Sequence, residues 1–460
     1  MIVARDEEVI VAQCTPQGRG AIALVRLSGA EAVSVADKMA CLVSGKRLVD
    51  LPTHTIHYGR VVDADACTID SVLFLLTRAP RTFTGQDTVE ITCHNNQFVI
   101  ESVIARAIAC GARLADRGEF ARRGVLYGKM DLLQAEAIND LIHANSQVAL
   151  KKSLCQVDGS LSAQLAAIEK QLIRALALSE GSFELSDDGE FFLDDQIRII
   201  VKDVLDTLAV LKKGHDVQRQ LRDGIRVAMI GAVNAGKSKL FNALLCKDRS
   251  IVSQQAGTTR DTVEAGIYRD GCYCTLVDTA GLRCAANVIE KEGVRRSYAE
   301  AELADLVLLV VDGSRQLTPD ERRVYQQICE KHKDKTIVVH NKSDLPQVSL
   351  DVGTGTVALS VSALTGQNIV LVDQAIAQRV EDLLVSADSP YMLNQRQYNL
   401  VLGLEKKAAQ LRELLAVDQV AYELLSYHLT DAVAHLAELT GKSVGEAGLD
   451  AVFKEFCVGK

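Results

Sequence analysis

The segment that decides the fold is Ile225–Ser238, which reads IRVAMIGAVNAGKS. Its first part, Ile225–Ile230, is aliphatic and predicts a buried strand, and Gly231–Ser238 fits the pattern GxxxxGK(S/T). Glycines let the backbone curl so that N–H groups surround a phosphate at the start of the next helix, here predicted over Leu240–Leu245. The order of strand, glycine loop and helix therefore predicts a phosphate-binding loop in an α/β sheet.

The other parts of a nucleotide site follow in chain order. Asp278–Gly281 reads DTAG, Asn341–Asp344 reads NKSD and Ser362–Leu364 reads SAL, and each motif comes after an aliphatic stretch. A carboxylate such as that of Asp344 accepts two N–H bonds from guanine, whereas adenine offers no matching pair of donors. The predicted nucleotide is therefore GTP.

Each motif residue has an expected task at the phosphates. Lys237 reaches the β- and γ-phosphates, while Ser238 and Thr259 ligate Mg²⁺. Asp278 holds the ion through water, and the N–H of Gly281 meets the γ-phosphate. The predicted GTP-contacting residues are Asn234, Ala235, Gly236, Lys237, Ser238, Lys239, Ser253, Thr258, Thr259, Asp278, Thr279, Ala280, Gly281, Asn341, Lys342, Asp344, Ser362, Ala363 and Leu364.

The residue that positions the attacking water is less obvious. Leu282 follows DTAG where many small GTPases place a water-orienting Gln, and a leucine cannot orient water. Glu290 and Glu292 lie a short loop away and are candidates, although a solvated charge is the commoner role of a glutamate at an arbitrary position and the spacing does not exclude it. The side-chain oxygen of Asn234 can coordinate a monovalent cation, and a loop-stabilising role fits the same spacing.

Composition sets the class of protein. The 460-residue chain has a net charge of −9, with 48% hydrophobic and 24% charged residues, which excludes a uniformly basic nucleic-acid binder and a disordered chain. Charged residues at 5–8 exclude a signal-peptide core, and the longest aliphatic run, Leu306–Val311, is far shorter than the ~20 residues that span a bilayer. Its 12 scattered cysteines, without a CxxC pair, indicate reduced thiols. We expect a cytoplasmic protein with no membrane contact and no structural metal.

Periodicity divides the chain and predicts a multidomain α/β protein of about three domains. Short β-rich runs at 9–13, 21–27, 71–76 and 88–92 make 1–122 an α+β domain, and 223–384 alternates strands and helices as a parallel sheet does. Residues 123–222 and 385–460 are helical in pattern, with one helix face marked by Leu161, Leu165, Ile168, Leu172 and Leu176. We favour a single helical domain interrupted by 223–384 over three separate domains.

Several stretches are distinctive beyond the nucleotide motifs. They are Val11–Gly29, Thr84-Gly85 with Glu90, Gly118–Ile142, GTTRD at 257–261, DTAGLR at 278–283, and the terminus Phe456-Cys457-Val458-Gly459-Lys460. On these residues the whole chain resembles the MnmE (TrmE) family of GTPases, which modify the wobble uridine of tRNA.

The resemblance implies an architecture and an activity. The N-terminal domain would bind a tetrahydrofolate one-carbon donor and form the homodimer, and a Ras-like G domain would be inserted into the helical domain. The G domains would be activated by dimerising with each other in the presence of K⁺. The partner would be MnmG, a flavoprotein that carries FAD and uses NADH. Together they would add an aminomethyl or carboxymethylaminomethyl group to carbon five of the uridine.

The resemblance also assigns residues. It implies that Glu290 is the catalytic glutamate and that Cys457 serves the modification reaction. The implied K⁺ contacts are Asn234, Ser253, Gln255 and Thr258, and the implied folate contacts are Arg26, Glu90, Lys129 and Lys460. Two departures stand out: Val233 replaces a usual Pro, and Asn95-Asn96 replaces a usual Gly-Gly. If those glycines need positive φ, asparagine is the next most tolerant residue.

Other interpretations remain open at this point. A related ribosome-assembly GTPase would carry a C-terminal RNA-binding domain, which the near-neutral helical stretch 390–460 does not resemble. A folate-binding scaffold whose GTP site only signals occupancy is the alternative of another class. The arginine-rich stretch 104–130 suits either a tRNA contact surface or a face with internally paired charges.

Overall fold

The computed structural model describes residues 4–184, 192–213, 215, 224–246, 263–269, 271–278, 298–348, 358–386, 389–417 and 420–459. The chain forms two compact units. The first unit contains Met1–Asn139, Cys155–Leu205 and Leu400–Lys460, and the second contains Asp140–Leu154 and Asp206–Asn399.

The described strands form two sheets. Their bounds are β1 (Ile10–Gln13), β2 (Ile22–Ser28), β3 (Ala40–Leu42), β4 (Thr55–Val62), β5 (Thr68–Thr77), β6 (Thr88–His94), β7 (Arg113–Leu114), β8 (Ile225–Ile230), β9 (Val263–Arg269), β10 (Cys272–Asp278), β11 (Leu306–Asp312), β12 (Thr336–Asn341) and β13 (Ala358–Ser360).

The α-helices lie between and after these strands. They are α1 (Ala4–Glu7), α2 (Ala32–Asp37), α3 (Gln97–Ala109), α4 (Glu119–Leu126), α5 (Leu132–His143), α6 (Gln147–Val157), α7 (Ser160–Glu184), α8 (Phe192–Lys212), α9 (Lys237–Cys246), α10 (Pro319–Lys331), α11 (Ile369–Ser386), α12 (Gln395–Leu414), α13 (Tyr422–Thr440) and α14 (Glu446–Phe453). No described helix has the length and apolar character that crossing a membrane requires.

The sheet of the first unit runs in the order β3-β4-β5-β6-β2-β1-β7. β1 pairs with β7 in parallel, and the other neighbours are antiparallel. One face is buried against α2 and α3 by alternate aliphatic residues such as Val25, Leu27, Val89 and Ile91. The predicted β-rich runs lie in β1, β2, β5 and β6, which confirms an α+β fold for this part.

One long strand of this sheet is not predicted by the sequence pattern. The inward-facing positions of the first half of β4 are Thr55, His57 and Gly59, which are not aliphatic. The sequence therefore lacks the buried aliphatic residues that mark the other strands. Gly59 is required there, because a Cβ atom at this position would lie 2.7 Å from the carbonyl oxygen of Cys41 on β3. Pairing with a neighbouring strand, rather than local pattern, fixes β4.

The helices of the first unit pack through the stripe that the sequence marks. Leu161, Leu165, Ile168 and Leu172 of α7 are buried, and α7 packs against α13. Leu176 is only half buried, because the 3.6-residue period moves the contact line to Ala175 and Ser179. Helices from before and after the α/β segment thus pack together, which confirms that the segment is inserted.

The sheet of the second unit runs in the order β13-β12-β11-β8-β10-β9. The β9–β10 pair is antiparallel, and the other pairs are parallel. Apolar clusters cover both faces, and every residue of β11 is buried, as a central parallel strand requires. The carboxyl ends of β8, β10, β11 and β12 meet at one edge, where such sheets bind ligands.

Candidate functional site

The loop between β8 and α9 has a backbone that only particular residues tolerate. Gly236 has φ +93°, and a Cβ atom there would lie 2.1 Å from Nδ2 of Asn341. A Cβ atom at Gly231 would lie 2.1 Å from the carbonyl oxygen of Val310. Asn234 has φ +63°, a left-handed conformation in which asparagine is less strained than most residues. The loop therefore has the tight curvature that phosphate binding needs.

Lys237 lies inside this loop. Its Nζ donates hydrogen bonds to the carbonyl oxygens of Gly231 at 2.6 Å and Ala232 at 2.7 Å, and the residue is buried. Burial lowers the pKa of Lys237, and the nearby carboxylate of Asp278 partly opposes that effect. The buried ammonium group has lost its water shell and is bound by neutral carbonyl oxygens. A phosphate oxygen would stabilise its charge more strongly, so the site is suited to an anion.

A tyrosine that the sequence does not suggest anchors the start of the same loop. The N–H of Ala232 donates to the hydroxyl of Tyr325 on α10 at 2.7 Å. Tyr325 is buried, and burial raises its pKa to about 12, so it stays protonated. A buried aromatic on an amphipathic helix is usually a core residue, which is why no sequence signal marks it.

Asn341 joins three of the predicted motifs. It is buried at the end of β12, where its Nδ2 donates to the carbonyl oxygen of Ala235 at 2.8 Å and its Oδ1 accepts from the N–H of Ala363 at 2.9 Å. One side chain thus links the phosphate loop, the NKSD loop and the SAL loop. These loops are far apart in sequence, and the parallel sheet brings them to one edge.

Asp344 lies beside the third loop. Its Oδ1 accepts from the Ser362 hydroxyl at 2.5 Å, and Ser362 is fully buried. The same hydroxyl oxygen accepts from the N–H of Thr365, which shapes the turn that presents Ala363 and the exposed Leu364. The carboxylate is thereby oriented by a buried hydroxyl, an arrangement suited to reading donors on a guanine edge.

Asp312 is a second functional candidate that the sequence does not reveal. It ends β11, is buried, and its Oδ2 accepts from Nζ of Lys342 at 2.5 Å. Burial alone would raise the pKa of Asp312, but hydrogen bonds from Lys342 and Ser314 lower it below its ordinary value. The only sequence signal is an acid at the end of a buried strand.

The residues predicted to bind metal ions are only partly described. Ser238 and Asn234 are exposed at the mouth of the phosphate loop, and Asp278 is buried at the end of β10. Hydroxyl, amide and carboxylate oxygens are ligands suited to Mg²⁺ and K⁺. The remaining predicted residues of this site lie outside the described part of the chain: Ser253, Gln255, Thr258, Thr259, Thr279, Ala280, Gly281 and Glu290.

A second cluster lies on the sheet of the first unit. Arg26 of β2 is directly opposite Glu90 of β6, and its Nε donates to Oε1 of Glu90 at 2.8 Å. The guanidinium carbon of Arg26 lies 5.5 Å from the ring centre of Phe83 and 5.4 Å from that of Phe120. Phe120 is fully buried, so the two rings hold the Arg26 guanidinium in place, while the Arg26–Glu90 pair itself stays partly exposed.

The C-terminal tail reaches the same end of the sheet. Gly459 has φ +94°, its carbonyl oxygen accepts from Sγ of Cys14 at 3.0 Å, and a Cβ atom there would lie 2.2 Å from the carbonyl oxygen of Gln13. Burial raises the pKa of Cys14 to about 11, although the charge of Arg26 lowers it. The N–H of Cys14 donates to the carbonyl oxygen of Leu24 at 2.8 Å, two residues before Arg26 on β2. The structure therefore brings the tail to the Arg26–Glu90 pair.

The other residues predicted for this cluster are less enclosed. Lys129 is exposed, and its stem lies beside Gly85, where a Cβ atom would be 3.2 Å from Cγ of the lysine. Cys457 is exposed, and its carbonyl oxygen accepts from the N–H of Gly118 at 3.3 Å. Lys460 lies outside the described residues.

Asparagine replaces the expected glycines without strain. Asn96 has φ −119°, and its side chain caps α3 by accepting from the N–H of Phe98 at 3.0 Å. Nδ2 of Asn95 donates to the carbonyl oxygen of Gly18 at 2.8 Å. Asn96 therefore does not need the positive φ that would have favoured glycine.

The arginine-rich stretch 104–130 is internally paired at most of its charges. Arg113 binds Glu119 and Glu8, and Arg122 binds Asp6 and Asp450. Arg123 is fully buried, and its guanidinium donates to Glu119 at 2.9 Å and to the carbonyl oxygen of Glu8 at 2.7 Å. The charges of Arg113, Arg122 and Arg123 therefore stabilise the fold.

The parallel sheet with its phosphate loop, NKSD loop and SAL loop defines a P-loop GTPase. Two family models match the chain: "GTP-binding protein TrmE N-terminus" over residues 9–129 and "MnmE helical domain" over residues 132–457. The chain belongs to the MnmE (TrmE) family.

Curated relatives span nearly the full chain. The tRNA modification GTPase MnmE of Lachnoclostridium phytofermentans is 34% identical over 464 residues, covering 98% of this chain and 99% of the relative. The protein of the same name from Chlorobaculum tepidum is 36% identical over 466 residues, covering 98% and 97%. Among solved structures, a point variant of Era from Aquifex aeolicus bound to GDP and AlF4⁻ is 27% identical, covers 40% of this chain and 66% of its own, and has a TM-score of 0.27.

Proposed function

We propose that this chain hydrolyses GTP to support modification of the wobble uridine of tRNA. Membership of the family makes it a GTP hydrolase that acts in tRNA modification. The observation that carries the nucleotide part is Asn341, whose side chain joins the phosphate, NKSD and SAL loops. The domain boundaries that we propose for this function are 1–122, 123–222 with 385–460, and 223–384.

The proposed hydrolysis depends on Mg²⁺ and K⁺. Mg²⁺ would be held by Ser238 and Thr259 and would neutralise the phosphate charge, while Asn234 would contribute to a K⁺ site with Ser253, Gln255 and Thr258. Lys237 would leave its two carbonyl partners and bind the phosphates. Support comes from the left-handed φ of Asn234, which holds this residue at the mouth of the loop.

A comparison of GTP turnover in KCl and NaCl tests the cation role. Faster turnover in KCl is expected, and equal rates would contradict a cation site at Asn234. Glu290→Ala should abolish turnover while sparing nucleotide binding, with Glu292→Ala as the matched control. Unchanged turnover in Glu290→Ala would move the water-positioning role to another residue.

The proposed one-carbon donor is a tetrahydrofolate derivative that binds at Arg26 and Glu90, with Lys129 and Lys460 as further contacts. Support comes from the partly exposed Arg26–Glu90 ion pair, whose guanidinium is held over the rings of Phe83 and Phe120 and whose polar atoms can meet the polar edges of a pterin. Calorimetric titration with a tetrahydrofolate one-carbon derivative tests this site. Glu90→Gln should weaken binding, and unchanged binding would contradict the assignment.

The proposed oligomer is a homodimer formed through the N-terminal sheet. Two cross-strand rows cover its open face, Arg26–Glu90–Leu75–Ile56 and Leu24–Thr92–Leu73–Tyr58, and Ile56, Tyr58 and Leu73 are exposed. The exposed apolar residues on β4 and β5 of this face suit burial against a second copy. Sedimentation of Tyr58→Lys should give monomers if the proposal holds, and dimers if it does not.

The proposed reaction needs a second protein. An MnmG-like flavoprotein would supply FAD and NADH chemistry, and tRNA would be bound in the cytoplasm by the assembled complex, since the charges of stretch 104–130 are largely paired. Activation of hydrolysis would follow from dimerisation of the G domains. Cys457 is the proposed modification residue, and its exposure leaves the thiol accessible to a substrate.

A further inference from the structure

An ion pair between a residue outside the predicted motifs, Asp312, and a residue of the NKSD motif, Lys342, connects two loops at the base end of the nucleotide site. Oδ2 of Asp312, at the end of β11, accepts from Nζ of Lys342 at 2.5 Å. The N–H of Gly313 donates to the carbonyl oxygen of Asn341 at 2.9 Å. The loop after β11 is therefore joined to the NKSD loop by one backbone bond and one charged bond.

Asp312 is itself held firmly. Its Oδ1 accepts from the N–H of Ser314 at 3.0 Å and from the Ser314 hydroxyl at 2.6 Å, and its side chain is only 7% exposed. Nε of Arg315 lies 3.7 Å from Oδ2. Each carboxylate oxygen thus has a fixed partner, so the position of the carboxylate is set before any ligand arrives.

Lys342 is constrained at its backbone as well. It has φ +67°, a left-handed conformation that lysine adopts only when its surroundings impose it. The carbonyl oxygen of Lys342 accepts from the N–H of Leu345 at 3.0 Å and from Nε2 of Gln347 at 2.8 Å. Backbone and ammonium are both held, although the side chain is partly exposed.

We propose that Asp312 is a positioning residue for guanine-nucleotide binding, which acts by holding Lys342 beside Asn341 and Asp344. A long lysine side chain loses conformational freedom when it contacts a ligand, and holding it in advance removes that cost from binding. The inference rests on the proposed function, because the base site to which Lys342 belongs is part of it.

The direct test is the affinity of the full-length chain for GDP. Asp312→Asn keeps the size of the side chain and removes its charge, and it should weaken GDP binding roughly tenfold, equivalent to about 1.4 kcal/mol. Asp334→Asn, at an exposed acid of the same unit, is the matched control and should bind GDP as the wild type does. Unchanged affinity in Asp312→Asn would overturn the proposal.

A double-mutant cycle separates positioning from a merely structural role. If Asp312 acts through Lys342, Asp312→Asn should have little further effect on GDP affinity in a Lys342→Met background. In an Asp344→Asn background, which favours xanthine over guanine, Asp312→Asn should weaken binding of xanthosine diphosphate by the same factor. A full additional loss of affinity in the Lys342→Met background, or a loss confined to one of the two bases, would overturn the proposal.

The remaining outcomes are also decisive. A wild-type chain that binds no GDP would refute the proposed function and this inference with it, whereas normal wild-type binding with an unaffected Asp312→Asn refutes the inference alone. If melting curves show that Asp312→Asn does not fold, Ser314→Ala replaces it. That variant removes one hydrogen bond to Asp312 and should weaken GDP binding about twofold, and unchanged affinity would overturn the proposal.

Discussion

The two candidate sites of this molecule are assembled in different ways. In the second unit, the described functional side chains lie in or beside the loops that follow β8, β12 and β13, and each of these loops carries a contiguous motif. In the first unit, the site combines two strands, an aromatic pair and the C-terminal tail, and the hydrogen bond from Cys14 to Gly459 joins residues 445 positions apart. The residues of the nucleotide site can therefore be recognised as short motifs, whereas those of the Arg26–Glu90 site are spread along the chain.

The largest expected effect is on the free energy of unfolding, and it tests the buried ion pairs that stabilise the unit holding the Arg26–Glu90 site. Glu119→Gln leaves the fully buried Arg123 without its carboxylate partner, so the free energy of unfolding should fall by about 3–5 kcal/mol. Urea unfolding measures the change, with the exposed Glu31→Gln as control. A loss below about 1 kcal/mol would mean that this network does not support the first unit.

The same glutamate predicts an acid-sensitive fold. Burial alone would raise the pKa of Glu119, but hydrogen bonds from Arg113 and the Asp116 N–H, with the charge of Arg123, lower it to about 2. Its contribution is therefore complete above its ordinary value near 4.5 and is lost as the pH falls towards 2. The stability difference between wild type and Glu119→Gln should shrink over that range, and a constant difference would contradict the assignment.

The next effect tests the contiguous site. Asn341→Ala leaves the Ala235 carbonyl and the Ala363 N–H without their buried partner, so the free energy of unfolding should fall by about 2–3 kcal/mol and GDP binding should be lost. Asn399→Ala, on an exposed face of α12, is the control. Normal GDP affinity in Asn341→Ala would show that the three loops do not depend on this link.

These two regions also differ in how far the sequence predicts them. The bounds of β8 and the loop that follows it are evident from the sequence alone, since local pattern and glycine positions determine both. The tasks of Asp312 and Tyr325 are not evident, because each depends on a partner brought close by the sheet. For the first unit, Arg26 and Glu90 are identified only through family resemblance. β4 escapes notice because the apolar residues of its first half, Ile56 and Tyr58, are the exposed ones.

A smaller effect, on folate binding, tests whether the C-terminal tail is part of the Arg26–Glu90 site. Gly459→Ala places a Cβ atom against the carbonyl oxygen of Gln13 at a positive φ, so the tail should detach and binding of a tetrahydrofolate one-carbon derivative should weaken more than tenfold. Gly45→Ala is the matched control, because Gly45 also has positive φ but has no atoms near its added Cβ. Equal folate binding in both variants would show that the tail does not contribute to the Arg26–Glu90 site.

The smallest effect tests whether the hydrogen bond from Ala232 to Tyr325 holds the phosphate loop in place. Tyr325→Phe removes the hydroxyl that accepts from the Ala232 N–H, which should cost about 1 kcal/mol of stability and weaken GDP binding a few-fold. Thermal unfolding and GDP titration measure both changes. Wild-type affinity together with reduced stability would show that Tyr325 stabilises the fold but does not contribute to GDP binding.

Mass spectrometry of tRNA nucleosides tests most directly whether GTP hydrolysis by this chain supports wobble-uridine modification. Cells that lack the protein should lose aminomethyl- and carboxymethylaminomethyl-type wobble uridines. The wild-type gene should restore them, whereas Asn341→Ala and Glu290→Ala should not. Unchanged wobble nucleosides in cells without the protein would contradict the account.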